Sequence, residues 1–416
     1  MLKNSSVVAL CLLTALAALG AACGSSPAGN ESTDPVNVND GGNGSGGGVD
    51  IGLPDSTSGT DAGDDSTVEP DVEISTDVPV ENDSETPDVA PPEDTTLTPD
   101  VEPEPDVAPD ATPDTTLPEG PVDPYVDGIY EFTTREVEVP DSSGGERDAV
   151  LYVPSSDEVT TFPFVVLSHG FQLRGSFYSG YAERLASHGI IVLLPTWGDS
   201  LIASRAHLDL ANDVETMIGW AIQQNGAGGA FEGQMDITSI GVAGHSRGGK
   251  QSILAAINDD RIRAVFGLDP VDTVPPIPFI DRTTNPSVTP ELMDGLTVPF
   301  AAVGAGLGGT ASSFISPACA PATDNYQAYY DQVGAPAYLY VIPDAGHNQF
   351  LFSCSGAGCG LCTSGDDGEF MRDLSNALMT SFFRFYLADD TRYQPFLSGE
   401  SLEAFIADGK LQFRSR

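Results

Sequence analysis

From about residue 130 onward, short apolar runs alternate with longer stretches in which apolar residues recur every three or four positions. Runs of the first kind read as strands and stretches of the second kind as amphipathic helices. REVEVP (135–140) and RDAVLYVP (147–154) predict a leading antiparallel pair. FPFVVLSHG (162–170) predicts a fully buried strand, and YSGYAERLASHG (178–189) a helix ending at Gly189. IIVLLPT (190–196) is the next strand, followed by a long helix over AHLDLANDVETMIGWAIQQN (206–225). ITSIGVAGHS (237–246) is a strand that runs directly into a helix, RGGKQSILAAIND (247–259). IRAVFGLDP (262–270), VPFAAVGAG (298–306) and AYLYVIPDAGH (337–347) are three more strands. Helices at DNYQAYYDQV and EFMRDLSNALMTSFFRFYLADD complete the alternation, and the tail SLEAFIADGKLQFRSR reads as a helix with a strand-like end. Strands that are apolar throughout, separated by helices, imply an α/β fold: a mostly parallel sheet with helices on both faces.

The first 124 residues do not share this pattern. Lys3, the apolar run Val7 to Leu19 and the small residues Gly20-Ala21-Ala22 form an export signal, too short for a span of ~20 residues. A small-residue site ending in Cys23 resembles a bacterial lipoprotein signal, with Cys23 as the lipidated first residue; ordinary secretion is the alternative. Residues 24–124 repeat Pro, Asp, Val and Thr and hold 26 acidic residues with no Lys or Arg. So little apolar surface cannot offset the entropy of ordering, so this block is expected to be a disordered, self-repelling tether. Its acids lack the fixed spacing of a calcium loop. The expected location is therefore the cell envelope, lipid-anchored with the outer membrane favoured, or secreted.

Residues 125–416 are long enough for one large α/β domain. They hold 35 acids against 16 Lys and Arg, which excludes the basic stripe of a nucleic-acid binder. A monomer is expected. Four of the six cysteines fall here: Cys319, Cys354, Cys359 and Cys362. An even number in an exported chain favours disulfides, with Cys319 joined to one of the other three and the remaining two closing a small loop. A four-thiolate zinc site is the alternative.

Gly244-His245-Ser246-Arg247-Gly248 matches G-x-S-x-G, which in a chain with 45 glycines proves little by itself. Its position between a predicted strand and a predicted helix is more specific, because a tight strand-to-helix turn exposes a serine hydroxyl and aims backbone N–H groups at it. Ser246 is thus the candidate nucleophile. A serine needs a base, and five histidines are available. His347, in a loop after the last main strand, lies at the right edge of the sheet. His188 reads as a helix-end cap, His207 as an exposed helix start, and His245 as a packing residue; His169 falls in the loop expected to form the oxyanion hole. The orienting acid follows the strand ending GLDPVD: Asp269 at the strand end is preferred to Asp272, with Asp344 a third candidate. Backbone N–H groups of Arg247 and Phe171 are the expected oxyanion donors. Trp197 and Phe350 are candidate substrate contacts. No metal or organic cofactor is implied.

These residues together resemble a known group. The order Ser246, Asp269, His347 looks like an α/β-hydrolase. Within that fold GHSRGGK, GLDPVD, GAGLGG, CAP (319–321) and AGH are similar to the chlorophyllase family and its bacterial relatives. The resemblance spans most of residues 145–350. It implies a Ser-Asp-His triad acting on carboxylic esters, small or polymeric, with no cofactor. An acid after the earlier strand is also similar to platelet-activating-factor acetylhydrolases, and cutinase-like enzymes share the fold. Two departures stand out. Thr273 replaces the glycine that usually follows DPVD, and NQFLFSC replaces the acidic stretch that usually follows the histidine. Thioesterase, peptidase or acyltransferase chemistry, and a non-catalytic surface-binding role on the same fold, remain open from sequence.

Overall fold

The computed structural model describes residues 120–198, 205–273, 281–311, 318–334, 336–355 and 357–416. The export signal, Cys23 and the acidic block up to residue 119 lie outside the described residues.

Among the described residues, nine strands form one sheet: β1 (Glu131–Pro140), β2 (Glu146–Ser155), β3 (Phe162–Ser168), β4 (Ile191–Pro195), β5 (Met235–His245), β6 (Ile262–Leu268), β7 (Phe300–Ala305), β8 (Ala337–Ile342) and β9 (Gln412–Ser415). Their order across the sheet is β1-β2-β4-β3-β5-β6-β7-β8-β9. The six strands from β4 to β8 run parallel, while β1, β2 and β9 add antiparallel edges. The tail strand thus extends the sheet by pairing with β8, with Ser415 opposite Tyr338.

Alternation along each strand divides the core in two. Phe164 and Val166 of β3 and Val242 of β5 face one side. There they meet α2 (His207–Gln224), α3 (Arg247–Asn258) and α4 (Tyr326–Gln332) through Val214, Met217, Ile253 and Tyr329. Val165, Leu167 and Ala243 face the other side. There they meet α1 (Ser179–Ser187) and α5 (Gly368–Leu387) through Tyr181, Leu185, Leu378 and Phe382. Side chains two apart on a strand share a face, so a strand covered on both sides is apolar at nearly every position. All seven residues of β3 are buried, as FPFVVLS requires.

The amphipathic stretches end where predicted for local reasons. α1 stops before Gly189, which takes φ 77°, a conformation open to glycine. Two short helices, α6 (Gln394–Leu397) and α7 (Glu400–Ala407), lead into β9. The strand-to-loop junctions after β5, β6 and β8 all open on the same edge of the sheet, the edge expected to carry chemistry in open α/β sheets.

The cysteines pair as Cys319–Cys362 and Cys354–Cys359. All four sulfurs are therefore committed to disulfides and are not thiolates around one ion, which corrects the zinc alternative. Among the described residues, no helix is long and apolar enough to cross a membrane.

Candidate active site

Ser246 is the hinge between β5 and α3, with φ 56° and ψ −122°. Such a backbone is strained for a residue with a Cβ and persists only where its surroundings hold it. Three N–H groups do so by donating to the Ser246 carbonyl: Gly249 (3.1 Å), Lys250 (3.3 Å) and Val271 (3.2 Å). The Ser246 N–H donates to Leu268 O at 2.9 Å, tying the turn to β6. The flanking glycines are a steric requirement. A Cβ on Gly244 would strike the Gly248 backbone, and one on Gly248 would strike the carbonyl of Ser168.

Asp269 leaves the end of β6 with φ 42°, its N–H donating to Val303 O at 2.7 Å. Its carboxylate is fully buried. Oδ1 accepts the Ala305 N–H at 3.3 Å, and Oδ2 accepts the His347 Nδ1–H at 2.6 Å. Because the carboxylate can only accept, Nδ1 of His347 carries the proton. Nε2 is then bare, and it accepts the Ser246 Oγ–H at 2.9 Å. The structure thus brings Ser246, His347 and Asp269 into one hydrogen-bonded line.

The other acids sit elsewhere. Asp272 pairs with Lys250 at 2.8 Å, the lysine fully buried and the aspartate nearly so. Asp272 also accepts from Ser287 Oγ, the Val288 and Thr289 N–H groups and Thr289 Oγ1. Burial alone would raise the Asp272 carboxyl, but the Lys250 ammonium and these N–H groups hold it below the usual range. Asp272 therefore ties the start of α3 to the 287–289 loop. Asp344 is exposed.

Gly170 lies against Ser246, since a Cβ there would come within 3.3 Å of the Ser246 Cβ. The next residue, Phe171, has an N–H with no partner among the described residues. Its ring lies under the Arg247 guanidinium, 5.2 Å from centroid to Cζ. Arg247 itself is the first residue of α3. Both expected oxyanion donors therefore belong to segments beside Ser246. His169 fixes the same loop: its Nδ1–H donates to Gly170 O at 2.7 Å, and its Nε2 accepts the Trp197 N–H at 2.8 Å.

Several expectations need correction. Trp197 is buried, its indole N–H donating to Gln251 Oε1 at 2.9 Å. Phe350 is also buried, its ring 5.5 Å from that of His245. Both support neighbours instead of lining an open cleft. His207 opens α2 as expected but is buried, and burial together with the nearby Lys250 and Arg247 cations pushes its imidazole down to about 3. His188 caps α1 with its backbone N–H, but its ring bridges away, sharing a 2.7 Å hydrogen bond with Tyr393 Oη and donating from Nε2 to Val126 O at 3.0 Å. Sequence reasoning missed Tyr178, whose hydroxyl contacts both the His245 ring and the Gly170 N–H. It also missed Gln349, which accepts the N–H groups of Gly346 and Gly365. Neither lies in a motif that marks it.

Comparison with known proteins adds an independent observation. The family model described as Chlorophyllase matches residues 122–402, which contain every residue of the site just described. The chain belongs to the chlorophyllase family. That family lies in the α/β-hydrolase superfamily, in agreement with the sheet, and identifies the chain in general terms as a carboxylic ester hydrolase. Chlorophyllase-2 of Arabidopsis thaliana is 29% identical over 258 residues, covering 58% of this chain and 79% of the relative. Chlorophyllase-1 of the same plant is 30% identical over 244 residues, covering 55% and 72%. Chlorophyllase type 0 of Chenopodium album is 26% identical over 302 residues, covering 67% and 83%.

Proposed function

We propose that this member of the chlorophyllase family is a serine esterase using Ser246 as nucleophile, His347 as general base and acid, and Asp269 as the orienting acid. The observation that carries the reading is the line Ser246 Oγ–His347 Nε2–Asp269, with links of 2.9 and 2.6 Å. As the Ser246 oxygen attacks the ester carbonyl, its proton passes to His347 Nε2. The imidazolium is stabilised by the buried Asp269 carboxylate. The oxyanion takes hydrogen bonds from the N–H groups of Phe171 and Arg247. His347 then gives its proton to the departing alcohol, leaving an acyl-serine. Water attacks this ester with His347 again as base, and the carboxylic acid leaves with Ser246 restored.

The substrates we propose are carboxylic esters of small or polymeric alcohols, reached by a cutinase- or lipase-like action. The relatives named chlorophyllases make chlorophyll the natural reference ester. Work outside the cytoplasm, tethered through Cys23 at a bacterial envelope, is supported by the export-type leader and acidic block in the sequence. The two disulfides agree with an oxidising compartment.

Hydrolysis of p-nitrophenyl esters from acetate to palmitate, and of chlorophyll a, tests the reading. Ser246→Ala is expected to remove at least ~10³ of the rate, since loss of a triad nucleophile leaves only the contribution of binding and the oxyanion hole. Turnover unchanged by Ser246→Ala would refute it.

A further inference from the structure

His245 is a fully buried imidazole that the proposed reaction does not use. It precedes the nucleophile in sequence, yet its ring reaches both other parts of the site. Nε2 lies 2.9 Å from the backbone carbonyl of His347. A carbonyl can only accept, so Nε2 carries the proton. Nδ1 is then bare and accepts the Tyr178 hydroxyl proton at 2.7 Å. The Tyr178 oxygen in turn accepts the Gly170 N–H at 3.3 Å, one residue before the proposed oxyanion donor Phe171. The two histidine rings pack with centroids 4.6 Å apart. Burial and the neighbouring His347 push the His245 imidazole well below its ordinary value, so it stays neutral beside a base that must become positive.

We propose that His245 and Tyr178 are positioning residues: a neutral, tautomer-fixed strut that sets the distance between the oxyanion loop and His347. It rests on the esterase reading given above. One rigid chain, Gly170 N–H to Tyr178 Oη–H to His245 Nδ1 and His245 Nε2–H to His347 O, joins two loops that come from β3 and β8 and do not pair in the sheet. Ser246 lies between them, fixed to the strut through its peptide bond to His245. A fixed separation matters because the tetrahedral intermediate must meet the oxyanion donors and the base together, and a misplacement of about 1 Å costs on the order of 10²-fold.

The test uses the full chain and compares Tyr178→Phe, His245→Gln and the double variant on one p-nitrophenyl ester. Tyr178→Phe deletes one oxygen from a packed ring, and His245→Gln keeps an N–H that can reach His347 O. Each single variant is expected to lower kcat about 10-fold with KM within about two-fold, because the loss is one of alignment. The double variant is expected to be no slower than His245→Gln, since Tyr178 acts through His245. Binding of a trifluoromethyl ketone, which is tight only as the tetrahedral adduct, is expected to weaken in step with kcat/KM. A merely structural role would lower the melting temperature and leave the rate per titrated active site unchanged. If Tyr178→Phe keeps wild-type kcat, or if the two substitutions multiply independently, the strut is refuted while the esterase stands. If the wild type shows no hydrolysis that depends on Ser246, the esterase reading fails and takes the strut with it.

Discussion

Asp269 and Asp272 are three residues apart, and exchanging each for asparagine is expected to damage different properties. In Asp269→Asn the amide has one acceptor. The Ala305 N–H, which now donates to Oδ1, requires that acceptor. The NH2 group then occupies the Oδ2 position and faces His347 Nδ1, 2.6 Å away in the native protein. It can donate only if Nδ1 gives up its proton, so the proton moves to Nε2 and His347 can no longer accept from Ser246. A wrong tautomer of this kind lowers kcat by ~10⁴ with the fold intact. In Asp272→Asn the line to Ser246 is untouched, but the Lys250 ammonium, fully buried, loses its counter-charge. Breaking a buried pair from one side costs about 3–5 kcal/mol. At ~2–4 °C per kcal/mol for a domain of this size, the melting temperature falls by roughly 10 °C. Burial already holds the Lys250 ammonium below its usual value, so this deficit shrinks as pH rises and the lysine sheds its proton. Active sites are counted with a fluorophosphonate, kcat is expressed per titrated site, and melting is followed by calorimetry. A large loss of kcat per site in Asp272→Asn, with Asp269→Asn within ten-fold of wild type, would refute both the choice of acid and the structural role of the lysine pair.

Gly248→Ala should yield little folded protein or an inactive one, because its Cβ has no room beside the Ser168 carbonyl; soluble expression and ester hydrolysis together check this. Replacing Cys319 and Cys362 by serine opens a loop with a sequence separation of 43, and a loss of about 4 kcal/mol from chain entropy is expected in urea unfolding. Stability should also fall as pH drops from about 6.5 toward 4. Burial depresses His188 to about 4 and His207 to about 3, so the unfolded chain binds protons there that the folded one does not. Each such histidine contributes a slope of ~1.4 kcal/mol per pH unit in that window, full stability lying above it. Urea midpoints measured between pH 4 and pH 8 check the sign; a midpoint that rises on acidification contradicts it.

The strands were legible because the sheet is covered on both faces, which leaves runs such as FPFVVL and IVLLP with no polar position. The parallel order was legible in outline, since a helix separates most successive strands. The strand-to-helix turn at Ser246 was legible through its glycines, whose spacing answers a steric demand. Asp269 stood out from Asp272 only as the residue nearer the strand end; the reason Asp272 serves another purpose is Lys250, a contact between α3 and the loop after β6. Trp197 and Phe350 were misread for a related reason. Each follows a strand at the correct edge, but the direction of a side chain after a strand depends on loop geometry that no periodicity encodes. His207 was misread because a helix start is ordinarily exposed, whereas this one is covered by the loop whose Asn285 accepts its N–H at 3.0 Å. Tyr178 had no signal at all, because its partners Gly170 and His245 lie in two separate segments.

The two ends of the described domain have a practical bearing. Tyr130, just before β1, donates its N–H to Ser187 O at the end of α1, and Arg416, just after β9, exchanges hydrogen bonds with Ala337 at the start of β8. Both ends therefore leave from the edge of the sheet where the parallel strands begin, while Ser246, Asp269 and His347 follow the ends of β5, β6 and β8. A purification tag, a resin or a second enzyme fused at either end of residues 120–416 attaches on the side remote from Ser246. The domain can be immobilised through either terminus with Ser246 turned toward the solution.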